Sequence, residues 1–339
     1  MRHVLIFGHQ TLAEAFRARG WEVTTVGYRC QADIISHTFP IDACAAYRKA
    51  SQKSSVDFAL FCDESQLPIW VGVGKIPVPT VWYAVDTHIH GSWHQDWQAL
   101  YDVVLVAQKS KLQVYRERRS HGPVFWCPLY ASHTRIQPPS IPREPEVAFV
   151  GNLDEAVNPA RVSFFGRLQG QVPVMIRQGP YEELYSMSSI GLNQSLDGEL
   201  NFRNFEVLAS GAALVTEAGT DGIDDCLREG RHFVTYERDN VESCVSVIRS
   251  LLADPAKVEA MRYRGYEAVL ASHLDIHRVD QIETWLESVD LDGLVTERFH
   301  SQEAWRHSNI RVFEYASKVY GSHGRRRVAE AYRAMAQAV

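Results

Sequence analysis

The stretch Gln137-Pro138-Pro139-Ser140-Ile141-Pro142-Arg143-Glu144-Pro145, followed by Glu146-Val147-Ala148-Phe149-Val150-Gly151-Asn152, decides how the chain folds. Four prolines in nine residues read as an extended, semi-rigid linker. The apolar run behind it reads as a buried strand that ends in a Gly-Asn loop. From there a strand–helix rhythm starts afresh. A helix over 159–168 precedes a strand at 172–176, a helix from Glu182, a strand at 190–193 and a helix over 202–209. A strand at 213–216, a short strand at 232–236 and long helices over 241–253 and 255–271 complete it.

Upstream of the linker the same rhythm runs from the first residues. The run 4–7 reads as a buried strand turning at Gly8 into a helix over 11–19, and Gly20 separates that helix from a strand at 21–26. Further apolar runs at 57–61, 80–85, 103–106 and 124–126 read as strands, with a charged helix over 110–119 between the last two. Short apolar strands interleaved with helices are the mark of a parallel sheet covered on both faces. A chain of 339 residues also exceeds the size at which one core keeps growing. The expectation is an α/β protein of two halves: an N-terminal domain over 1–140, a C-terminal domain over 146–288, and a helical extension over 289–339. In the extension, 301–319 and 325–338 read as an antiparallel helix pair split by Gly321-Ser322-His323-Gly324. A lone pair buries its own face poorly, so packing on a core is expected.

The formal net charge of −6 argues against a broad nucleic-acid surface, which needs cations to displace counterions. Cys30, Cys44, Cys62, Cys127, Cys226 and Cys244 contain no C-x-x-C pair and read as buried free thiols, the usage of a reducing cytosol. The apolar run after Met1 is too short for a secretory signal, and no run approaches the ~20 residues that span a bilayer. A soluble, cytoplasmic protein is expected.

The strongest motif is Asn201-Phe202-Arg203-Asn204-Phe205-Glu206-Val207-Leu208-Ala209-Ser210-Gly211. Asn201 suits an N-cap, and Gly211 suits a left-handed helix end. Phe202, Phe205, Leu208 and Ala209 make an apolar stripe, while Arg203 and Glu206 share a neighbouring face one turn apart. A helix that follows a sheet strand points its N-terminus at the carboxyl edge, where ligands bind in open α/β folds. Free N–H groups there, with Arg203, suit a diphosphate, and Glu206 suits two ribose hydroxyls. The alternative is a plain surface Arg–Glu pair.

Together with Thr216-Glu217 and Gly230-Arg231-His232-Phe233-Val234-Thr235-Tyr236, that block resembles the C-terminal half of CgeB-like glycosyltransferases. These are GT-B enzymes related to the glycosyltransferase-1 group. Val81-Trp82-Tyr83-Ala84-Val85-Asp86, Phe125-Trp126-Cys127-Pro128-Leu129 and Phe149-Val150-Gly151-Asn152-Leu153 agree in order. So does Arg262-Tyr263-Arg264-Gly265-Tyr266-Glu267-Ala268-Val269-Leu270, with His273 and His277-Arg278 behind it. The resemblance spans roughly residues 60–285. It implies a GT-B fold of two Rossmann-like domains with a facing cleft, and transfer of a sugar from a nucleoside-diphosphate donor without a metal or other cofactor. The acceptor, whether glycan, protein or small molecule, stays open.

By the same resemblance Glu206 grips the donor ribose and Arg203 the diphosphate, with Asn201 and Asn204 in support. Many relatives carry a further glutamate two helical turns earlier, beside the transferred sugar. Gly198 stands there, with Asp197 and Glu199 as neighbours that could substitute. Gly151 and Asn152 form a strand-end loop where backbone can approach a phosphate, or a simple turn. At the next strand end, where such enzymes bind the base, Arg177 faces the phosphates and Tyr181 stacks on the base, or else packs on Tyr185 at i, i+4. Gly8 ends the first strand like the glycine-containing first loop of GT-B folds. The continuation His9-Gln10-Thr11-Leu12-Ala13 is no G-x-G-x-x-G, which disfavours a dinucleotide oxidoreductase.

In the first half, Asp86-Thr87-His88-Ile89-His90-Gly91-Ser92-Trp93-His94 follows a strand. Asp86 and His88, taken as one side of an extended segment, are the expected catalytic pair that removes the acceptor proton. His90 and His94 read as wet loop residues. Two other classes remain. One is a metal-dependent hydrolase built on Asp86, His88 and His90. The other is a catalytically degenerate GT-B protein that only binds a sugar or a partner.

Overall fold

The structure, a computed structural model, describes residues 2–119, 121–139, 146–156 and 158–338. The linker expected over 137–145 therefore lies outside the described residues from 140 onward. The chain divides into two compact units, Met1–Pro128 with Val279–Val339, and Leu129–Arg278.

Unit 1 is built on strands β1 (His3–Gly8), β2 (Glu22–Tyr28), β3 (Ile34–Ser36), β4 (Ile41–Asp42), β5 (Phe58–Cys62), β6 (Trp70–Val71), β7 (Thr80–Ala84), β8 (Val103–Val106) and β9 (Val124–Trp126). Seven of them form one parallel sheet in the order β3-β2-β1-β5-β7-β8-β9, while β4 pairs with β6. Every residue of β1, β5, β7 and β8 is buried, as expected of strands covered on both faces. The apolar patterning finds these central strands to within a residue or two. It misses β3, β4 and β6, which have three residues or fewer and no period to read. The strand order winds outward in both directions from the β1–β5 pair. There Gly8 has φ +77, and a Cβ would stand 2.2 Å from the Cys62 carbonyl oxygen, so only glycine ends β1 this way.

The C-terminal helices belong to this unit. Val312, Phe313, Ala316 and Tyr332 join the core that contains Phe7, Phe61, Trp82 and Tyr101. Helix Gln302–Ser322 packs on helix Arg326–Ala338, and Gly321 lies inside the first of them, so the turn is shorter than the sequence suggests. Tyr332 donates to the Pro68 carbonyl at 2.7 Å. Arg298, fully buried, pairs with the equally buried Asp102 at 2.9 Å.

Unit 2 holds β10 (Val147–Val150), β11 (Met175–Arg177), β12 (Ile190–Leu192), β13 (Ala213–Glu217) and β14 (Phe233–Tyr236), all parallel, in the order β11-β10-β12-β13-β14. Strand β11 begins three residues later than the apolar run at 172–176, which contains Pro173 with no N–H to give a ladder. Phe149, Phe165, Ile190, Val215, Val241 and Ile248 fill the core. Helix Phe202–Ala209 ends as its sequence dictates: Gly211 has φ +73, and its carbonyl accepts from the buried Arg262 at 2.7 Å. All six cysteines are free, but only Cys62, Cys127 and Cys244 are buried. Cys30 is exposed and Cys44 and Cys226 are half-buried, because they sit in loops and helix faces rather than strands.

Candidate functional site

The winding of the unit 2 sheet reverses between β10 and β12, and the carboxyl edge at such a reversal is an open crevice. Arg203 sits there, in the first turn of helix Phe202–Ala209. Its Nε donates to the Val150 carbonyl at the end of β10 at 2.7 Å, and its Nη1 donates to Asn193 Oδ1 beyond β12 at 2.9 Å. The guanidinium lies 4.6 Å from the centre of the Phe149 ring. Gly151 makes this possible, since a Cβ there would stand 2.6 Å from Arg203 Nη2 and 2.7 Å from the Phe149 ring.

A second guanidinium, which sequence reasoning missed, joins it. Asn158 caps helix Pro159–Gln169 by accepting from the Arg161 N–H at 2.9 Å, which fixes Arg161 in the first turn after β10. Arg161 then donates to Gln194 Oε1 at 2.7 Å, to the Gln194 carbonyl at 3.0 Å and to the Asn152 carbonyl at 3.4 Å. Burial, and then the charge of Arg203, lower its pKa. Among the described residues neither arginine pairs with a carboxylate within ion-pair distance. Two cations held by neutral oxygens leave a positive field at the crevice. The signal was present as Asn158-Pro159-Ala160-Arg161, a helix start just beyond a strand.

Asn193 is fully buried. Its amide donates to Asn204 Oδ1 at 3.2 Å and Thr216 Oγ1 at 3.0 Å, which turns its oxygen toward Arg203. Asn204 is also buried and donates to Asn201 Oδ1 at 3.2 Å and to the Asn201 carbonyl at 3.3 Å. Asn201 occupies the N-cap position, but its side chain caps no helix N–H and donates instead to Glu199 at 3.3 Å. Both asparagines thus serve the framework of the helix start. Glu206, one turn further, is half-buried and its carboxylate accepts no hydrogen bond among the described residues. Burial pushes its pKa up to about 7, against the pull of Arg203.

The loop between β12 and this helix is shaped by two successive left-handed residues, Asp197 at φ 70 and Gly198 at φ 74. Gly198 has the left-handed φ that disfavours a glutamate two turns before Glu206, and the exposed Arg238 guanidinium lies over its Cα. Arg238 donates to the Gly219 carbonyl at 3.2 Å. Asp197 is exposed and Glu199 buried. Glu217, 1% exposed at the end of β13, holds the loop by accepting from the Ser195 N–H at 2.8 Å and from its hydroxyl.

The Gly151 N–H donates to the Arg177 carbonyl at 3.0 Å, which sets the ends of β10 and β11 side by side. Asn152 Oδ1 accepts from Asp154 N–H at 2.9 Å, an Asx turn, and from Gln178 at 3.3 Å. Arg177 is exposed on the edge strand. Tyr181 is buried, its ring 6.3 Å from that of Tyr185. Gly8 lies in unit 1.

At the carboxyl edge of the unit 1 sheet, Asp86 departs from an extended strand end. It has φ 48 and ψ 35, and helix Thr87–Trp97 starts directly after it. Thr87 fixes this start by donating to Gln108 at 2.9 Å. Asp86 and His88 therefore do not lie along one side of an extended segment, and residues two apart at a helix start do not face each other. The histidines differ from expectation as well. His94 is fully buried, with Nδ1 2.7 Å from the Tyr115 hydroxyl and Nε2 3.1 Å from Asp63. Burial lowers its pKa. A helix where a loop was expected turns His94 inward under Trp82 and Trp93. His90 is half-buried in the same helix, near Ser65 at 3.4 Å. Among the described residues no three His, Cys, Asp or Glu side chains gather as metal ligands. No helix among them is long and apolar enough to cross a membrane.

Residues 149–284 match the family described as glycosyl transferase-like. No curated protein matches the sequence. Solved structures match along most of the chain. Sucrose-phosphate synthase from Thermosynechococcus elongatus is 13% identical with a TM-score of 0.57, over 86% of this chain and 100% of that one. A glycosyltransferase from Rickettsia africae is 10% identical with a TM-score of 0.59, over 84% and 98%. Anabaena HepE in complex with UDP and glucose is 9% identical with a TM-score of 0.58, over 85% and 100%. At such identities the likeness speaks to the fold. The chain has the mixed α/β GT-B fold, and the glycosyl transferase-like match falls within residues 149–284.

Proposed function

We propose that the protein transfers a hexose from a nucleoside-diphosphate sugar to an acceptor hydroxyl, with unit 2 as the donor half and unit 1 as the acceptor half. The observation that carries this reading is the Arg161–Arg203 pair at the β10–β12 reversal, beside the N-terminus of helix Phe202–Ala209. When the bond from the anomeric carbon to the phosphate oxygen breaks, negative charge grows on the leaving diphosphate. Two preorganised guanidinia and the free N–H groups of the helix start stabilise it without a metal. Glu206 accepts from the ribose hydroxyls, and Arg177 and Tyr181 mark the base end. The bound nucleotide of Anabaena HepE supports a uridine donor.

Asp86 takes the acceptor proton as the acceptor oxygen bonds to the anomeric carbon. Its left-handed backbone at a strand's carboxyl edge supports that role, because such conformations cost about 1–3 kcal/mol and concentrate at functional sites. The sequence block 201–211 supports the CgeB-like subtype.

A thermal-shift panel of nucleoside diphosphates and their sugars tests the reading, followed by release of the diphosphate from the best ligand. A shift with UDP or a related diphosphate and turnover with its sugar are expected. No shift with any of them would overturn it. A second reading, binding without transfer, draws on Gly198, whose left-handed backbone stands where relatives carry a sugar-side glutamate. Donor binding without turnover would favour it.

A further inference from the structure

We propose that Glu217 is a positioning residue for the donor diphosphate: through the peptide that joins Gln194 to Ser195, it holds both guanidinia of the crevice to one carbonyl oxygen. The inference rests on the transfer reading above and gives a role to a carboxylate that this reading leaves idle.

The two ends of that peptide carry it. Its carbonyl accepts from Arg161 at 3.0 Å and from Arg203 at 3.4 Å. Its N–H, the Ser195 amide, donates to Glu217 Oε2 at 2.8 Å, and the Ser195 hydroxyl donates to the same oxygen. Three charged groups thus meet across one amide, the carboxylate on the N–H side and the cations on the C=O side. An amide polarised in this sense is a better donor and a better acceptor at once. Gln194, Ser195 and Glu217 are all buried, so water screens little of the effect. Burial and Arg203 lower the Arg161 pKa, while the charges of Glu199 and Glu217 oppose that lowering.

The neighbouring residues are tied from the same side. The Asn193 N–H donates to the Val215 carbonyl at 2.8 Å, and the Asn193 carbonyl accepts from the Tyr236 hydroxyl at 2.9 Å. Residues of β13 and β14 therefore fix the chain step by step up to Ser195, and Glu217 is the charged tie of the three. Holding a loop needs no charge, since an amide oxygen accepts from the Ser195 N–H in the same geometry. A buried carboxylate is also costly to keep, and Glu217 Oε1 accepts no hydrogen bond among the described residues. What the carboxylate adds is a negative charge that faces two cations through one peptide.

Calorimetric titration of the full chain with UDP and with uridine tests this, because uridine has no diphosphate and bypasses the arginines. Glu217→Met, of similar volume but without an acceptor, should weaken UDP at least tenfold and leave uridine unchanged. Glu217→Gln, which keeps an acceptor oxygen, should lose less. In an Arg161→Ala background the effect of Glu217→Met on UDP should shrink, since both changes loosen the same anchor. The bridge is also read without ligand or change at Glu217. In Arg161→Ala the Ser195 amide proton should move upfield in the NMR spectrum, although Arg161 does not touch that N–H, and this decides the matter if Glu217→Met fails to fold. Unchanged UDP affinity in Glu217→Met, an equal loss for uridine, a Glu217→Gln variant as weak as Glu217→Met, full additivity with Arg161→Ala, or a Ser195 amide that stays in place would each overturn the proposal. A wild type that binds UDP while any of these holds would sink this role alone; a wild type that binds no nucleoside diphosphate would sink the transfer reading with it.

Discussion

Arg161 and Arg203 donate to one acceptor, the carbonyl oxygen of Gln194, at 3.0 and 3.4 Å. Two guanidinia share an oxygen because each is anchored elsewhere, one by Gln194 Oε1 and the other by Val150 and Asn193. Their mutual repulsion, which adds to burial in lowering the Arg161 pKa, is carried by the fold. Arg161→Ala and Arg203→Ala should each remove hydrogen bonds to charge worth about 1.5–3 kcal/mol, a loss of roughly ten- to a hundredfold in UDP affinity. Arg203→Lys should lose nearly as much, because an ammonium cannot span Val150 and Asn193 together. Titration calorimetry reads all three, and an unchanged affinity in Arg161→Ala would remove it from the site.

Glu206 gives the pH dependence. Burial raises its folded pKa to about 7, above the usual carboxylate range. The folded state therefore holds a proton that the unfolded chain releases at lower pH, and stability falls as pH rises from about 4.5 through 7. Glu206→Gln should raise the melting temperature at pH 8 and leave it nearly unchanged at pH 4. UDP affinity should move the other way: in the wild type it should rise between pH 6 and 8 as Glu206 ionises, and the variant should be weaker at pH 8 and lack that rise. A residue that costs stability yet supports binding is one held for function. Flat affinity across this range would deny Glu206 the ribose.

Gly198 and Arg238 form a testable steric pair. Gly198→Ala should cost about 1–2 kcal/mol for its left-handed backbone, with a smaller addition for displacing the exposed Arg238 guanidinium from the Gly219 carbonyl. Adding Arg238→Ala should recover that addition but not the backbone cost. Urea denaturation of both single variants and the double variant isolates the coupling. Strict additivity would show that the two side chains do not compete for one space.

The C-terminal helices are tied to unit 1 by Arg298, which donates to Asp102 and to the carbonyls of Gly74, Ile76 and Val78. Arg298→Ala would leave Asp102 buried without its counter-charge, a loss of about 3–5 kcal/mol. Arg298→Ala with Asp102→Asn should lose less than Arg298→Ala alone. Chemical denaturation decides, and a loss below 1 kcal/mol would mean that the helices are held by Phe313 and Tyr332 alone.

The sequence by itself determined what depends on neighbours in the chain. Uniform burial of a strand is written as an unbroken apolar run, so β1, β5, β7, β8, β10 and β13 are legible. Asn201 through Gly211 spells a helix with its start and its left-handed end, which is why Arg203 and Glu206 could be named. Tertiary structure alone decided what depends on residues brought together from afar. Arg161 is 42 residues from Arg203 in the chain (203 − 161), and only the β10–β12 reversal makes both of them neighbours of Gln194. Asp63 likewise meets His94 inside unit 1, so a histidine that looked wet is dry. The C-terminal helices carry an apolar face that states a need for cover without saying whose, and the core of Phe7, Phe61 and Trp82 supplies it. Periodicity is a local property of the backbone, while a site is an intersection of several strand ends, and the order of those strands is set by packing energy summed over the whole sheet.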